Sequence, residues 1–133
     1  MSFVRPHRGD ALVGVAVALL VGCTDAGPET LPECAGPVTL SVSAGTTPLF
    51  AWTPACRLNY LVVKEAGLAA DIWAIVSDSA NAISPDVRYG TVPPGVREHE
   101  DAAPLLAGVT YNVAVGRWTG SGVQVIGVRA FTP

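Results

Sequence analysis

The chain has 133 residues, eight of them Lys or Arg and eleven Asp or Glu, for a formal charge of −3; it is 50% hydrophobic and 14% charged. That length holds one domain of ordinary size. An acidic balance without a basic stripe excludes nucleic-acid binding, which rests on a footprint rich in lysine and arginine.

The chain opens on MSFVRPHRGD, where Arg5 and Arg8 precede the uncharged run ALVGVAVALLVG from Ala11 to Gly22. A helix of that length rises only about 18 Å, against roughly 30 Å of bilayer hydrocarbon. A positive stretch followed by a short apolar one is the layout of a secretory signal. The run closes not on an A-x-A-like site but as Leu20-Val21-Gly22-Cys23, which resembles the bacterial lipoprotein lipobox. The resemblance implies a diacylglyceryl group on the Cys23 thiol, cleavage after Gly22 and an amino terminus that is often acylated as well. Two chains or more, at about 0.8 kcal/mol per buried methylene, hold a protein on a membrane where one chain is marginal. By the same pattern, Thr24 in place of Asp implies outer-membrane delivery in a Gram-negative host, on the periplasmic or the surface side. The competing reading is an uncleaved amino-terminal helix with an incidental buried cysteine.

Cysteine arithmetic bears on this choice. The chain holds Cys23, Cys34 and Cys56, and an odd cysteine in an exported protein demands a separate role. Lipidation supplies one for Cys23. Cys34 and Cys56 then share a compartment that permits disulfides, and a bridge closing a loop of that length contributes roughly 3 kcal/mol in the chain-entropy model. The alternatives are two buried free thiols or half of a metal site, the latter lacking a CxxC or a nearby histidine pair.

Without residues 1–22, six basic residues face ten acidic ones. TDAGPETLPE, residues 24–33, is polar and contains Gly27, Pro28 and Pro32, and reads as a tether of at most about 35 Å. The expected organisation is therefore a signal peptide over 1–22, a lipidated cysteine and tether over 23–33, and one folded domain over 34–133.

Within that domain the apolar spacing predicts strands: VTLSVS (38–43), LFAWT (49–53), LNYLVVKE (58–65), IWAIVS (72–77), VRYGTV (87–92), TYNVAVGRW (110–118) and VQVIGVRAF (123–131). They are rich in β-branched and aromatic residues and are separated by AGTTP, TPAC, DSANAISPD, PPG and TGSG. About seven such runs punctuated by turn residues predict an all-β sandwich or barrel. KEAGLAADIWAIV has some helical propensity, but Gly67 interrupts it and Ile72, Ile75 and Val76 are β-branched, so a loop leading into a strand is expected.

Leu105, Gly108, Tyr111, Val113 and Val115 in PLLAGVTYNVAV resemble the L-x-P-G-T-x-Y-x-V-x-V segment of fibronectin type III domains, with Ala107 and Val109 in place of the family's Pro and Thr. The resemblance implies that Leu105 plugs the core at the end of strand E, that Gly108 permits the turn, and that Tyr111 forms a tyrosine corner at the start of strand F. FAWTP, with Phe50 and Trp52 on one face, resembles the strand B segment whose tryptophan packs between the sheets. Most members have no disulfide, so an immunoglobulin-like variant stays open.

Chemistry is sparse. His99 stands in REHEDAA beside Glu98, Glu100 and Asp101, and a carboxylate beside a histidine can orient a general base. Neighbours in an exposed strand or loop point in different directions, however, and a charged run after PPG reads as solvated surface. No G-x-S-x-G elbow, H-E-x-x-H pair, phosphate loop or EF-hand pattern occurs, and Asp78-Ser79-Ala80-Asn81 reads as an Asx-type turn. No catalysis, metal or cofactor is expected beyond the covalent lipid on Cys23.

Alternation along the run from Tyr111 sends Asn112, Ala114 and Trp118 outward. Trp118 beside Arg117, together with Trp73 and Tyr89, is a candidate binding surface, the competing role for Trp118 being to cover the TGSG turn. The expected function is a membrane-anchored, non-catalytic module of the cell envelope that binds or assembles with a protein partner. A carbohydrate-binding module needs Trp73, Tyr89 and Trp118 on one face, and a small hydrolase or metal-dependent enzyme needs His99 in a cleft beside Glu98 or Glu100.

Overall fold

The structure is a computed structural model that describes residues 30–133. Residues 1–29 lie outside the described residues, and with them the expected signal peptide and Cys23. Eight strands follow one another: β1 (Thr39–Val42), β2 (Leu49–Thr53), β3 (Tyr60–Glu65), β4 (Asp71–Ser77), β5 (Val87–Arg88), β6 (Val96–Glu100), β7 (Tyr111–Trp118) and β8 (Val123–Phe131). They form a three-stranded sheet, β1-β2-β5, and a five-stranded sheet, β6-β4-β3-β7-β8, with every pairing antiparallel. The fold is an all-β sandwich, and among the described residues no helix is long and apolar enough to cross a membrane.

The core is built by alternation. Leu40 on β1 and Phe50 and Trp52 on β2 meet Leu61 and Val63 on β3, Trp73 and Ile75 on β4, and Val113 and Val115 on β7, all buried. Burying such side chains fully contributes about 1.5–3 kcal/mol each. Aromatic side chains need acceptors for their polar ends when buried, and here they find them. Trp52 Nε1 donates to the Cys56 carbonyl at 2.8 Å, and Trp73 Nε1 to a Glu98 carboxylate oxygen at 2.9 Å. Phe131 closes the far end against Phe50 and Tyr111, with ring centroids 5.6 and 5.7 Å away.

Cys34 and Cys56 are joined by a disulfide. Around it the chain before Cys34 is tied down rather than free: the Arg57 amide donates to Pro32 O, Cys34 N donates to Arg57 O, and Arg57 Nε reaches Leu31 O. The tether expected over residues 24–33 therefore ends earlier, since Leu31–Glu33 already belong to the fold. The reason is the parallel bridge between Glu33 and Arg57, which pairs backbone groups that proline-rich composition alone does not reveal.

Two strand expectations change. VRYGTV shrinks to Val87–Arg88, because Asp86 and Gly90 both adopt positive φ, 70° and 79°, which ends a strand on each side. An additional strand, β6, runs through VREHE and edges the five-stranded sheet next to β4. Its pattern, one buried residue followed by four exposed ones, lacks the apolar alternation that marks a half-buried strand. Because β6 intervenes, Leu105 follows β6 and not β5.

Candidate functional site

Both edges of the larger sheet are guarded. On one side β6 presents exposed Arg97, Glu98, His99 and Glu100, and charged side chains are a usual guard on an edge strand. On the other, Val38 N donates to Ile126 O and Arg129 caps the Leu40 carbonyl, each at 2.9 Å, so β1 and a guanidinium cover part of the β8 edge. What remains open is the outer face of the sheet.

Register defines that face. Tyr60 pairs with Val76 and Gly116, and Val62 with Ala74 and Ala114. Ala114 in turn pairs with Val128, Gly116 with Val125 and Trp118 with Val123. A bulge between Val115 and Gly116 inserts Ile126 as the extra residue, so Val123, Val125 and Val128 all point outward while Ile126 turns into the core. The three valines are 50%, 56% and 63% exposed and Trp118 is 41% exposed. An open hollow of about 410 Å³ lies on this face, lined by Tyr60, Val62, Ala74, Val76, His99 and Val123 among others. Tyr60 lies flat over Gly116, where a β-carbon would fall 2.8 Å from its hydroxyl oxygen and closer to the ring. Burial raises the pKa of the Tyr60 hydroxyl above its ordinary value. Lys64 and Asp71 form an ion pair at 3.3 Å on the rim of the hollow, well exposed to solvent and so of small energetic weight.

The aromatic surface expected of Trp73, Tyr89 and Trp118 does not form. Trp73 is fully buried and Tyr89 is 7% exposed. They pack edge to face with centroids 5.0 Å apart, and Tyr89 Oη donates to the Ala103 carbonyl. On β4 the inward phase carries Trp73, and Tyr89, just beyond β5, is drawn onto it. Trp118 alone of the three reaches solvent. Burial, followed by the nearby Tyr111 and Glu98, pushes the Tyr89 hydroxyl up to about 12.

His99 lines the outer hollow, whereas Glu98 turns to accept from the Trp73 indole. The two are on opposite faces of β6, so Glu98 is not the orienting partner of His99. Among the described residues no three His, Cys, Asp or Glu side chains converge.

At the turn before β7, Leu105 is 5% and Tyr111 3% exposed, Gly108 has φ of 82°, and the Leu106 amide donates to Tyr111 Oη at 2.9 Å. At the opposite end, Arg117 Nη1 donates to the Cys34 carbonyl and Nε to Gln124. Asn81, read from the sequence as a turn residue, is 3% exposed. Its amide accepts from Trp118 N and donates to Trp118 O and Glu33 Oε1, tying the start of the fold to the β7–β8 hairpin. A second hollow, of about 420 Å³, is lined there by Glu33, Cys34, Asn81, Arg117 and Trp118 among others.

Sequence reasoning missed the outward valines of β8. A signal was present: Val123, Val125 and Val128 are apolar beside an equally apolar Ile126, so neither phase of the strand is polar. Comparison of the chain with protein-family models, with curated proteins and with solved structures found no match.

Proposed function

We propose that the protein is a lipid-anchored, non-catalytic module of the cell envelope, of fibronectin type III-like build, which binds a protein partner through the outer face of its five-stranded sheet. The lipobox-like Leu20-Val21-Gly22-Cys23 supports the anchor. One observation carries the binding role: Val125 and Val128 stand more than half exposed beside Tyr60, Val62 and Ala114 on a face whose edges are guarded. Contiguous exposed apolar surface of this kind marks interaction sites in soluble domains, and the half-buried Tyr60 ring beside it is of the residue type enriched at protein interfaces.

The test has two readouts on one preparation from native membranes. Mass spectrometry of the amino-terminal peptide is expected to show an acylated Cys23 as the first residue. A photo-crosslinking amino acid at Val128 is expected to capture one partner, and the same group at Ser41, exposed on β1 of the opposite sheet, to capture none. An unmodified Cys23 behind an intact leader overturns the anchor; equal capture at both positions, or none at either, overturns the binding face.

A further inference from the structure

The proposed anchor fixes where the chain leaves the fold, and Trp118 stands at that place. Leu31–Glu33 are bonded to Arg57, and Glu33 to Asn81, whose amide also holds the backbone of Trp118. The β7–β8 hairpin and the entry of the chain thus form one end of the sandwich. Leu31 follows Cys23 by eight residues, a reach of at most about 28 Å. The sandwich itself is about 30 Å long, the length of the nine residues of β8. A lipid on Cys23 therefore tethers the fold from the Trp118 end. The far end, with Leu68 and Leu106 exposed at 58% and 61%, lies a strand's length from that point of entry.

The chemistry of this end suits the interfacial zone of a membrane. Trp118 is 41% exposed and pairs with exposed Val123. Trp52 and Trp73 both donate their indole N–H to the protein, while among the described residues Trp118 Nε1 has no acceptor. An indole with an apolar body and a free donor prefers the headgroup level of a bilayer. The turn beneath it, Thr119-Gly120-Ser121-Gly122, has no charge, and the nearest guanidinium, Arg117, is already engaged with Cys34 O and Gln124. Arg117 keeps its charge on these neutral acceptors, but the Glu33 carboxylate lines the same hollow and opposes it, so among the described residues this end has no cluster of cations to select anionic lipid.

We infer that the Trp118–Val123 corner docks on the bilayer, seating the indole among the headgroups of zwitterionic lipid and holding the sandwich upright with Val125 and Val128 of the sheet face free for the partner. The inference rests on the proposed anchor at Cys23, and its test supplies that anchor chemically. The chain from Cys23 to Pro133, which contains the whole described fold, is coupled through the Cys23 thiol to a maleimide-headed phospholipid in phosphatidylcholine vesicles with brominated acyl chains. Bromine is expected to quench one tryptophan of the three and to spare the buried Trp52 and Trp73, with little change at high salt. A probe at the far end, Leu68→Trp in a Trp118→Phe background, is expected to stay unquenched. An unquenched Trp118, or equal quenching at position 68, overturns the inference. A native chain without lipid on Cys23 would remove the proposed anchor yet leave the quenching result readable by itself.

Discussion

Substituting Tyr111 by Phe isolates one bond in the turn before β7. The ring is buried and packs on Phe131 with centroids 5.7 Å apart, and Phe keeps that contact, so the hydrophobic contribution is unchanged. What is lost is the hydrogen bond from the Leu106 amide to Tyr111 Oη, 2.9 Å long. A buried amide left without an acceptor costs about 1–3 kcal/mol. Leu106 is 61% exposed, so water can reach its amide once the hydroxyl is gone, and the low end applies, about 1 kcal/mol. For a domain of this size that lowers Tm by about 4–8 °C. Thermal unfolding followed by far-ultraviolet circular dichroism reads the shift, with urea titration at an unchanged m-value as the check that only stability moved. Tyr111→Ala, which also empties the ring site, is expected to cost about 3–5 kcal/mol. A Phe variant as stable as the parent would refute the bond's role in pinning the turn. One as damaged as the Ala variant would refute the separation of ring from hydroxyl.

Replacing Cys34 and Cys56 together by Ser opens a loop with a sequence separation of 22 and is expected to cost about 3 kcal/mol in urea titration, with tryptic cleavage after Arg57 as an early sign. Tyr89 carries a folded pKa pushed up from 10.0 to about 12. A group held protonated by the fold stabilises below its unfolded pKa, so stability should hold to about pH 10 and fall between there and about 12. Tyr60 is shifted in the same direction, so Tyr89→Phe is expected to blunt the alkaline loss without abolishing it in pH-jump unfolding. Ser77 Oγ is buried on β4 with no hydrogen-bond partner among the described residues. Ser77→Ala removes an uncompensated desolvation and should raise stability by up to about 1 kcal/mol, whereas a lower urea midpoint would show that a water serves the hydroxyl.

The two sheets were legible because β-branched and aromatic residues recur with period two between turn residues. LFAWT and VQVIGVRAF became β2 and β8 with the bounds their composition predicts. VREHE was not legible as β6, because an edge strand with one inward valine satisfies its backbone by pairing with β4 and needs no apolar face of its own. The candidate site was less visible than the core. Outward exposure of Trp118 follows from alternation beginning at Tyr111, but the outward placement of Val128 depends on a bulge that reverses the phase of β8 after Val125. Alternation counted along one strand cannot locate such an inserted residue, since it is set by the register with the neighbouring strand.

Local chemistry by itself determined the all-β class and the lack of a stripe rich in lysine and arginine, since each follows from residue type and spacing along the chain. The sulfur pairing of Cys34 with Cys56 was one of several open readings, which the fold resolves by bringing the two together. Only the tertiary structure decided which aromatic rings are walls and which are surface. Trp73 and Tyr89 were drawn inside by each other and by acceptors at Glu98 and Ala103, residues 25 and 14 positions away. The physical reason is that burial of an amphipathic ring depends on finding a partner for its polar end, and that partner is supplied by a distant part of the chain.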